Sequence, residues 1–267
     1  MPTRRHLIAS GAASVILPGF IRSARASAWP DRAVHMVVPL AAGGPTDVNA
    51  RIVAEQLSKI WGQQVVVDNK AGAGTNIGNA FVAHSDPDGY TLLFGTSSLA
   101  SNGALYRSLD YSPTADLSPI SLVAKFPFFM LHGFSRDRKR APSRRIVVHA
   151  DGRTRSGQVR VLASTGAMRS PAAPEVPTIA ESGVPGYVVE SWQGVFAPVK
   201  TPPEIIQKIS GDIAKALSEP ALIEKLARNA YTVESSSMDE LAKVLKADTE
   251  KWEAVIKTTG KIGRAHV

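Results

Sequence analysis

Val34-His35-Met36-Val37-Val38-Pro39-Leu40-Ala41-Ala42-Gly43-Gly44-Pro45-Thr46-Asp47 is the stretch that decides the fold. A β-branched apolar run ends at a proline, and a glycine-rich turn leads into a helix start. Val48, Ile52, Val53, Leu57 and Ile60 then recur mostly at spacings of three and four, a helical stripe. Thr46 or Asp47 is the natural N-cap of that helix. Val65–Val67 reads as a second strand, and Asp68 to Gly74 as a turn-rich loop. Thr75-Asn76 opens a second helix through Ile77, Ala80, Phe81 and Val82. Asp86-Pro87-Asp88-Gly89 is a strong turn. Thr91 to Gly95 is a third strand, running into the polar loop Thr96-Ser97-Ser98. Strand–helix–strand–helix–strand at this spacing predicts an α/β fold, a parallel sheet with crossover helices.

The last third reads as helical. After Pro202-Pro203, the residues Ile205, Ile206, Ile209, Ile213 and Leu217 share a face. Pro220 begins another turn through Leu222, Ile223 and Leu226. Ser237-Met238-Asp239-Glu240 is a capping box, and the helix it starts is expected to bury Leu241, Val244, Leu245, Trp252 and Val255. These stripes are core packing.

The chain has 267 residues, 44% hydrophobic and 20% charged, enough for one large domain or two small ones. It has no cysteine, which excludes disulfides, thiolate metal sites and a cysteine nucleophile. Its formal charge of +8 invites a nucleic-acid reading until the charge is located. Residues 1–28 carry Arg4, Arg5, Arg22 and Arg25 and no acid, and residues 133–155 carry +6. The rest of the chain is slightly acidic. Residues 1–28 read as an export signal: paired arginines, an apolar stretch from Leu7 to Phe20, and small residues from Ala24 to Ala28. Thr3-Arg4-Arg5-His6-Leu7-Ile8 is similar to a twin-arginine signal, with general secretion the alternative route. Either predicts a periplasmic protein.

The three loops follow three strands, and in an open parallel sheet the ligand crevice lies outside the carboxyl ends of the strands. Gly43-Gly44 lets backbone approach a ligand. Helices beginning near Thr46 and Thr75 present free N–H groups to an anion. Thr96, Ser97, Ser98 and Asn102 add neutral donors. The set suits a carboxylate held by hydrogen bonds. Asp47 either caps its helix or accepts from a ligand amino or hydroxyl group. No metal-ligand cluster, cofactor motif or nucleophile–base pair is legible, and His35 and His84 stand alone. No catalytic residue and no cofactor is expected.

Further motifs recur in series: Val67-Asp68-Asn69-Lys70-Ala71-Gly72-Ala73-Gly74, Pro87-Asp88-Gly89-Tyr90-Thr91-Leu92-Leu93, Gly95-Thr96-Ser97-Ser98 and Leu117-Ser118-Pro119-Ile120-Ser121-Leu122-Val123-Ala124. Later come Pro174-Glu175-Val176-Pro177-Thr178, Glu181-Ser182-Gly183-Val184-Pro185-Gly186 and Ser191-Trp192 before Gly194 and Phe196-Ala197-Pro198. Together with the opening stretch, the chain resembles the Bug-type substrate-binding receptors of tripartite tricarboxylate transporters over about 29–132 and 157–260. The resemblance implies a type II periplasmic-binding-protein fold whose two α/β lobes close on a small carboxylate. It implies a monomer that delivers the carboxylate to membrane transporter subunits. It places Gly43, Gly44, Thr46, Asp47, Thr75, Asn76, Thr96, Ser97, Ser98 and Asn102 at the ligand.

The chain departs from that family between Ala124 and Gly157-Gln158-Val159-Arg160, where most of a second lobe is expected and only Lys125 to Ser156 stands. The expected organisation is therefore a signal at 1–28 and a first lobe from 29–125 and 195–260. A second-lobe remnant covers 126–194, including the basic 133–155, and a non-family tail covers 261–267. Gly133 to Arg155 reads like family sequence out of frame with a deletion, and Ile262 to Val267 like a translated adapter. Two other functions stand against the receptor: 133–155 as an insert binding an anionic surface or nucleic acid, and an unrecognised enzyme of the cleft. The export signal and the sparse aromatics, 6%, argue against a nucleic-acid partner.

Overall fold

The computed structural model describes residues 29–133, 144–147, 159–228 and 231–259. The signal segment, the tail after 261 and all of 133–155 except Gly133 and 144–147 lie outside the described residues. The elements run β1 (Val34–Val38), α1 (Pro45–Trp61), β2 (Val65–Asn69), α2 (Asn76–Ala83), β3 (Thr91–Thr96), α3 (Ser98–Leu105), β4 (Leu117–Pro127), β5 (Phe129–Gly133) and β6 (Arg144–Val147). They continue through β7 (Val159–Ser164), β8 (Glu190–Pro198), α4 (Pro203–Leu217), α5 (Pro220–Ala227), β9 (Thr232–Val233) and α6 (Met238–Thr259).

The larger sheet has the order β2-β1-β3-β8-β4-β9. β1 pairs parallel with both β2 and β3, as the strand–helix alternation predicts. The sheet as a whole is mixed rather than parallel, because β8 inserts antiparallel between β3 and β4. The local pattern of residues 34–96 could not show this, since β8 lies a hundred residues further along the chain. Side chains alternate across the sheet. Met36, Val38, Leu92, Phe94, Val195 and Ala197 enter a core completed by Leu57, Ile209 and Ile213. Val37, Leu93 and Phe196 enter a second core with Leu99, Leu241 and Leu245. Both faces are thus covered by helices, which is why these strands read as continuous apolar runs.

β4 and β8 run on together to the pairs Phe126↔Ser191 and Pro127↔Glu190. Immediately beyond, β5 opens a smaller antiparallel sheet of order β6-β5-β7. Thr165 stitches the junction: its N–H donates to the Phe128 carbonyl and its hydroxyl oxygen accepts the Phe128 N–H. Among the described residues, the small sheet's own core comprises Phe129, Leu131, Ala173 and Val176, with Val161 against them.

Three local expectations change. The N-cap of α1 is Gly44, with Pro45 at the first helical position; Thr46 and Asp47 lie inside the first turn. Thr96-Ser97-Ser98 is not a loop but the end of β3 joined to the start of α3. Ile223 and Val255 are exposed, while Ile256 takes the buried place on α6. The capping box is present: the Ser237 N–H donates to Glu240 Oε2 at 2.7 Å and the Glu240 N–H to Ser237 Oγ at 3.3 Å.

The start of α2 lies hard against the ends of β1 and β2. A Cβ at Gly78 would sit 2.8 Å from Pro39 Cβ and 2.9 Å from the Lys70 carbonyl oxygen. Gly211, on the exposed side of α4, has nothing within 4 Å of that position. Gly78→Ala is therefore expected to destabilise the fold by about 1–3 kcal/mol through overpacking. Gly211→Ala is expected to stabilise it by up to about 1 kcal/mol through helix propensity alone. Urea unfolding midpoints of the two variants should move in opposite directions from wild type.

Candidate functional site

The carboxyl ends of β1 and β3 deliver the chain into the starts of α1 and α3, and β2 leads through a 3-10 turn into α2. Five of the ten residues singled out from the sequence form one hydrogen-bonded cluster there. Thr75 Oγ1 and Thr96 Oγ1 lie 2.9 and 2.8 Å from Ser98 Oγ. Asn102 Nδ2 donates to Asn76 Oδ1 at 2.7 Å and to the Gly74 carbonyl at 3.0 Å. The Tyr111 hydroxyl also donates to Asn76 Oδ1, at 2.9 Å, and accepts from Asn79 Nδ2 at 3.0 Å. Burial raises the Tyr111 pKa above its ordinary value, so the phenol is a neutral donor. Thr75 holds φ +84°, a left-handed conformation rare outside glycine, and the hydroxyls and amides around it secure that strained turn.

Ser97 faces elsewhere: its Oγ lies 2.6 Å from Ser191 Oγ and its N–H donates to the Trp192 carbonyl. Thr46 accepts at Oγ1 from Gln193 Nε2, 3.2 Å away. Gln193 pairs in register with Thr96, so Thr46 and the Thr96 cluster meet through β8.

The glycine loop is engaged with itself. The Gly43 N–H donates to Asp47 Oδ2 at 2.8 Å, and the Gly44 N–H to the Ala41 carbonyl. Among the described residues, the N–H groups of Thr46 and Asp47 find no acceptor, so they carry the free positive end of α1. Asp47 neither caps the helix nor faces outward as a free acceptor at Oδ2. It closes the loop, and it receives Arg51 Nε at 3.0 Å on the same oxygen. Arg51 in turn reaches Asn69, which ties down the Leu40 carbonyl. Burial alone would raise the Asp47 carboxyl; the bonds from Arg51, Gly43 and Asn69 and the Arg51 charge outweigh it and hold it below the ordinary 3.8.

The polar partners Asn49, Asn79, Tyr111, Ser191 and Gln193 escaped the sequence reading. Asn49 and Asn79 sit on helix faces otherwise read as core. Gln193, a polar residue within the apolar Trp192 to Phe196 strand, was the one legible signal. The cluster offers hydroxyls, amides and helix starts, and no cation. His35 and His84 are exposed, against Asp68 and the Asp110 carbonyl. Among the described residues, no group of three or more His, Cys, Asp or Glu could hold a metal ion. Ser97 is paired with a second hydroxyl, not with a base.

Residues 49–135 and 145–261 match the family described as tripartite tricarboxylate transporter family receptor. A protein in the tcbD-tcbE intergenic region of Pseudomonas sp. (strain P51) is 30% identical over 314 residues, covering 94% of this chain and 94% of that one. That alignment is longer than the 267 residues of this chain, so the relative has residues with no counterpart here. The periplasmic binding protein BugD superposes with a TM-score of 0.80 at 26% identity, over 88% of this chain and 100% of that one. An R. palustris protein solved with adipate gives 0.80 at 28%, over 88% and 99%. The fold is thus that of periplasmic binding proteins. The family match resumes at 145, inside the basic segment, and β6 pairs with β5, so the departure from the family is narrower than 133–155.

A carboxyl whose folded pKa is depressed adds stability above its unfolded pKa and loses it as pH falls through the folded value. Asp47→Ala is expected to cost about 1–3 kcal/mol near neutral pH, by stranding the Gly43 N–H and Arg51. That deficit should be constant down to about pH 5 and shrink below the ordinary carboxyl range. Unfolding midpoints of wild type and variant across that range check it.

Proposed function

The chain belongs to the tripartite tricarboxylate transporter receptor family, and on that premise we propose that it is a periplasmic receptor that binds a small carboxylate and hands it to a membrane transporter. The observation that carries the reading is the convergence of Thr46, Thr75, Asn76, Thr96, Ser98 and Asn102 around the starts of α1 and α2 and the junction of β3 with α3, with no cation among them. Such a site holds an anion by hydrogen bonds and backbone dipoles, so it favours a carboxylate over a cation or a neutral ring. The adipate of the R. palustris relative is of that class. The paired arginines of residues 1–28 support export, by the twin-arginine or the general route.

In this reading 29–125 and 195–260 make the first lobe, and the small β6-β5-β7 sheet within 126–194 is what remains of the second. The gapped alignment with the Pseudomonas relative supports a shortened second lobe. Domain closure needs two jaws, so this chain should hold its ligand loosely. Residues 136–144, between the two family matches, and 262–267, after the second, are where foreign sequence would lie; resequencing the locus decides that.

The test is a thermal-shift panel of mono-, di- and tricarboxylates against the folded protein. A saturable rise with a dicarboxylate only at millimolar concentration is expected, since a bound state is stabilised by mass action. Micromolar binding would overturn the shortened-lobe reading. A rise with polyanions such as heparin, abolished by salt, and none with any carboxylate would favour the anionic-surface alternative.

A further inference from the structure

Gln193 is fully buried on β8 and stands between two side chains of α1. Asn49 Nδ2 donates to Gln193 Oε1 at 2.9 Å, and Gln193 Nε2 donates to Thr46 Oγ1 at 3.2 Å. Asn49 is itself fully buried, and Tyr231 adjoins both amides. Burial pushes Tyr231 up to about 12, so near neutral pH it is a neutral phenol beside the chain of bonds. The direction of the relay is the one in which the two amides are oriented, with Asn49 Nδ2 on Gln193 Oε1 and Asn49 Oδ1 left without a partner. The Asn49 amide occupies the Gln193 oxygen, which turns the Gln193 NH2 toward Thr46. A threonine hydroxyl that accepts from an amide keeps its own proton for a different partner. At the second position of α1, beside the unclaimed N–H groups of Thr46 and Asp47, the partner on offer is an anion.

We propose that Gln193 is a positioning residue that fixes the Thr46 hydroxyl as an outward donor to the bound carboxylate. This rests on the receptor reading above. Aligned in one sense, the bonds Asn49 to Gln193 to Thr46 polarise one another and strengthen the last donor. The opposite relay, with both amides turned over, would draw the Thr46 proton inward and leave the site an acceptor. Gln193→Glu imitates that opposite state, because a carboxylate can only accept from Thr46.

The experiment has two arms. The first needs no ligand. Side-chain amide NMR should show a slowly exchanging Gln193 Nε2 proton whose shift and protection collapse in Thr46→Val; no response to Thr46→Val overturns the proposal. The second titrates adipate into wild type, Thr46→Val, Gln193→Glu and the double variant. Each single change should weaken binding about tenfold, the scale of one lost hydrogen bond, and the double variant no further. Wild-type affinity in a folded Gln193→Glu protein, or a loss that persists undiminished in the Thr46→Val background, overturns the proposal. A merely structural role would lower stability without that non-additivity. If wild type binds no carboxylate while the Gln193 proton answers to Thr46→Val, the receptor reading fails and the hydrogen-bond direction stands.

Discussion

The antiparallel insertion of β8 between β3 and β4 is the constraint on which the rest depends. Without it, β3 would end the sheet with its carbonyls and N–H groups open, and β4 would have no neighbour on that side. With it, Gln193 meets Thr96 on one side and Ala124 on the other. The strand also joins the layers. Trp192 Nε1 donates to Asp248 on α6 at 2.7 Å, while Gln193 turns to α1 on the opposite face. The N-terminal strands therefore cannot complete their core until residues 190–198 arrive. That makes the fold non-local in sequence, with loop closure preceding the stabilising contacts.

The same strand organises the chemistry. Ser191, Trp192 and Gln193 touch Ser97 or Thr46, so three successive residues of β8 brace two helix starts. The resulting site is electrostatically quiet. Asp47 is the one buried carboxylate near it, and Arg51 and the Gly43 N–H neutralise that charge from the loop side. The partners of Asp47 all gather on Oδ2, while its Oδ1 is buried without a hydrogen-bond partner. Holding the donors of the site in place takes strain at Thr75, while the left-handed position before it is filled by Gly74, which takes that conformation freely. The Gly74 Cβ position would fall 2.3 Å from the Tyr106 hydroxyl. Side chains set on strand ends and helix starts are held more rigidly than side chains on loops.

What the sequence made legible follows from periodicity. The β1, β2 and β3 strands, the helices between them and the capping box of α6 were readable because each is a local pattern. Seven of the ten candidate residues, Gly44, Thr46, Asp47, Thr75, Asn76, Ser97 and Ser98, lie at helix starts, which turn signals mark. What stayed hidden is non-local. The sheet's mixed direction rests on β8, and the N-cap of α1 moved to Gly44 because Pro45 supplies the helical φ at the first position, where its missing N–H would have no partner anyway. The buried Asn49, Asn79 and Gln193 looked like interruptions in core stripes. Only their mutual placement, across as many as 144 residues, reveals them as a network.

The charge map takes its final meaning from the small sheet. Among the described residues, Phe129, Leu131, Ala173 and Val176 form the core of its three strands, and a small sheet gains stability from packing on something larger. The small sheet is secured through Thr165 and the joined ends of β4 and β8. Arg144 and Arg145, part of the basic run, fall within β6, paired with His132 and Leu131 of β5. Those two arginines stand in a strand of the fold, and Arg145 lies inside the second stretch that matches the family. Part of the excess charge thus belongs to sequence that matches the family, so charge alone does not mark where the chain departs from it.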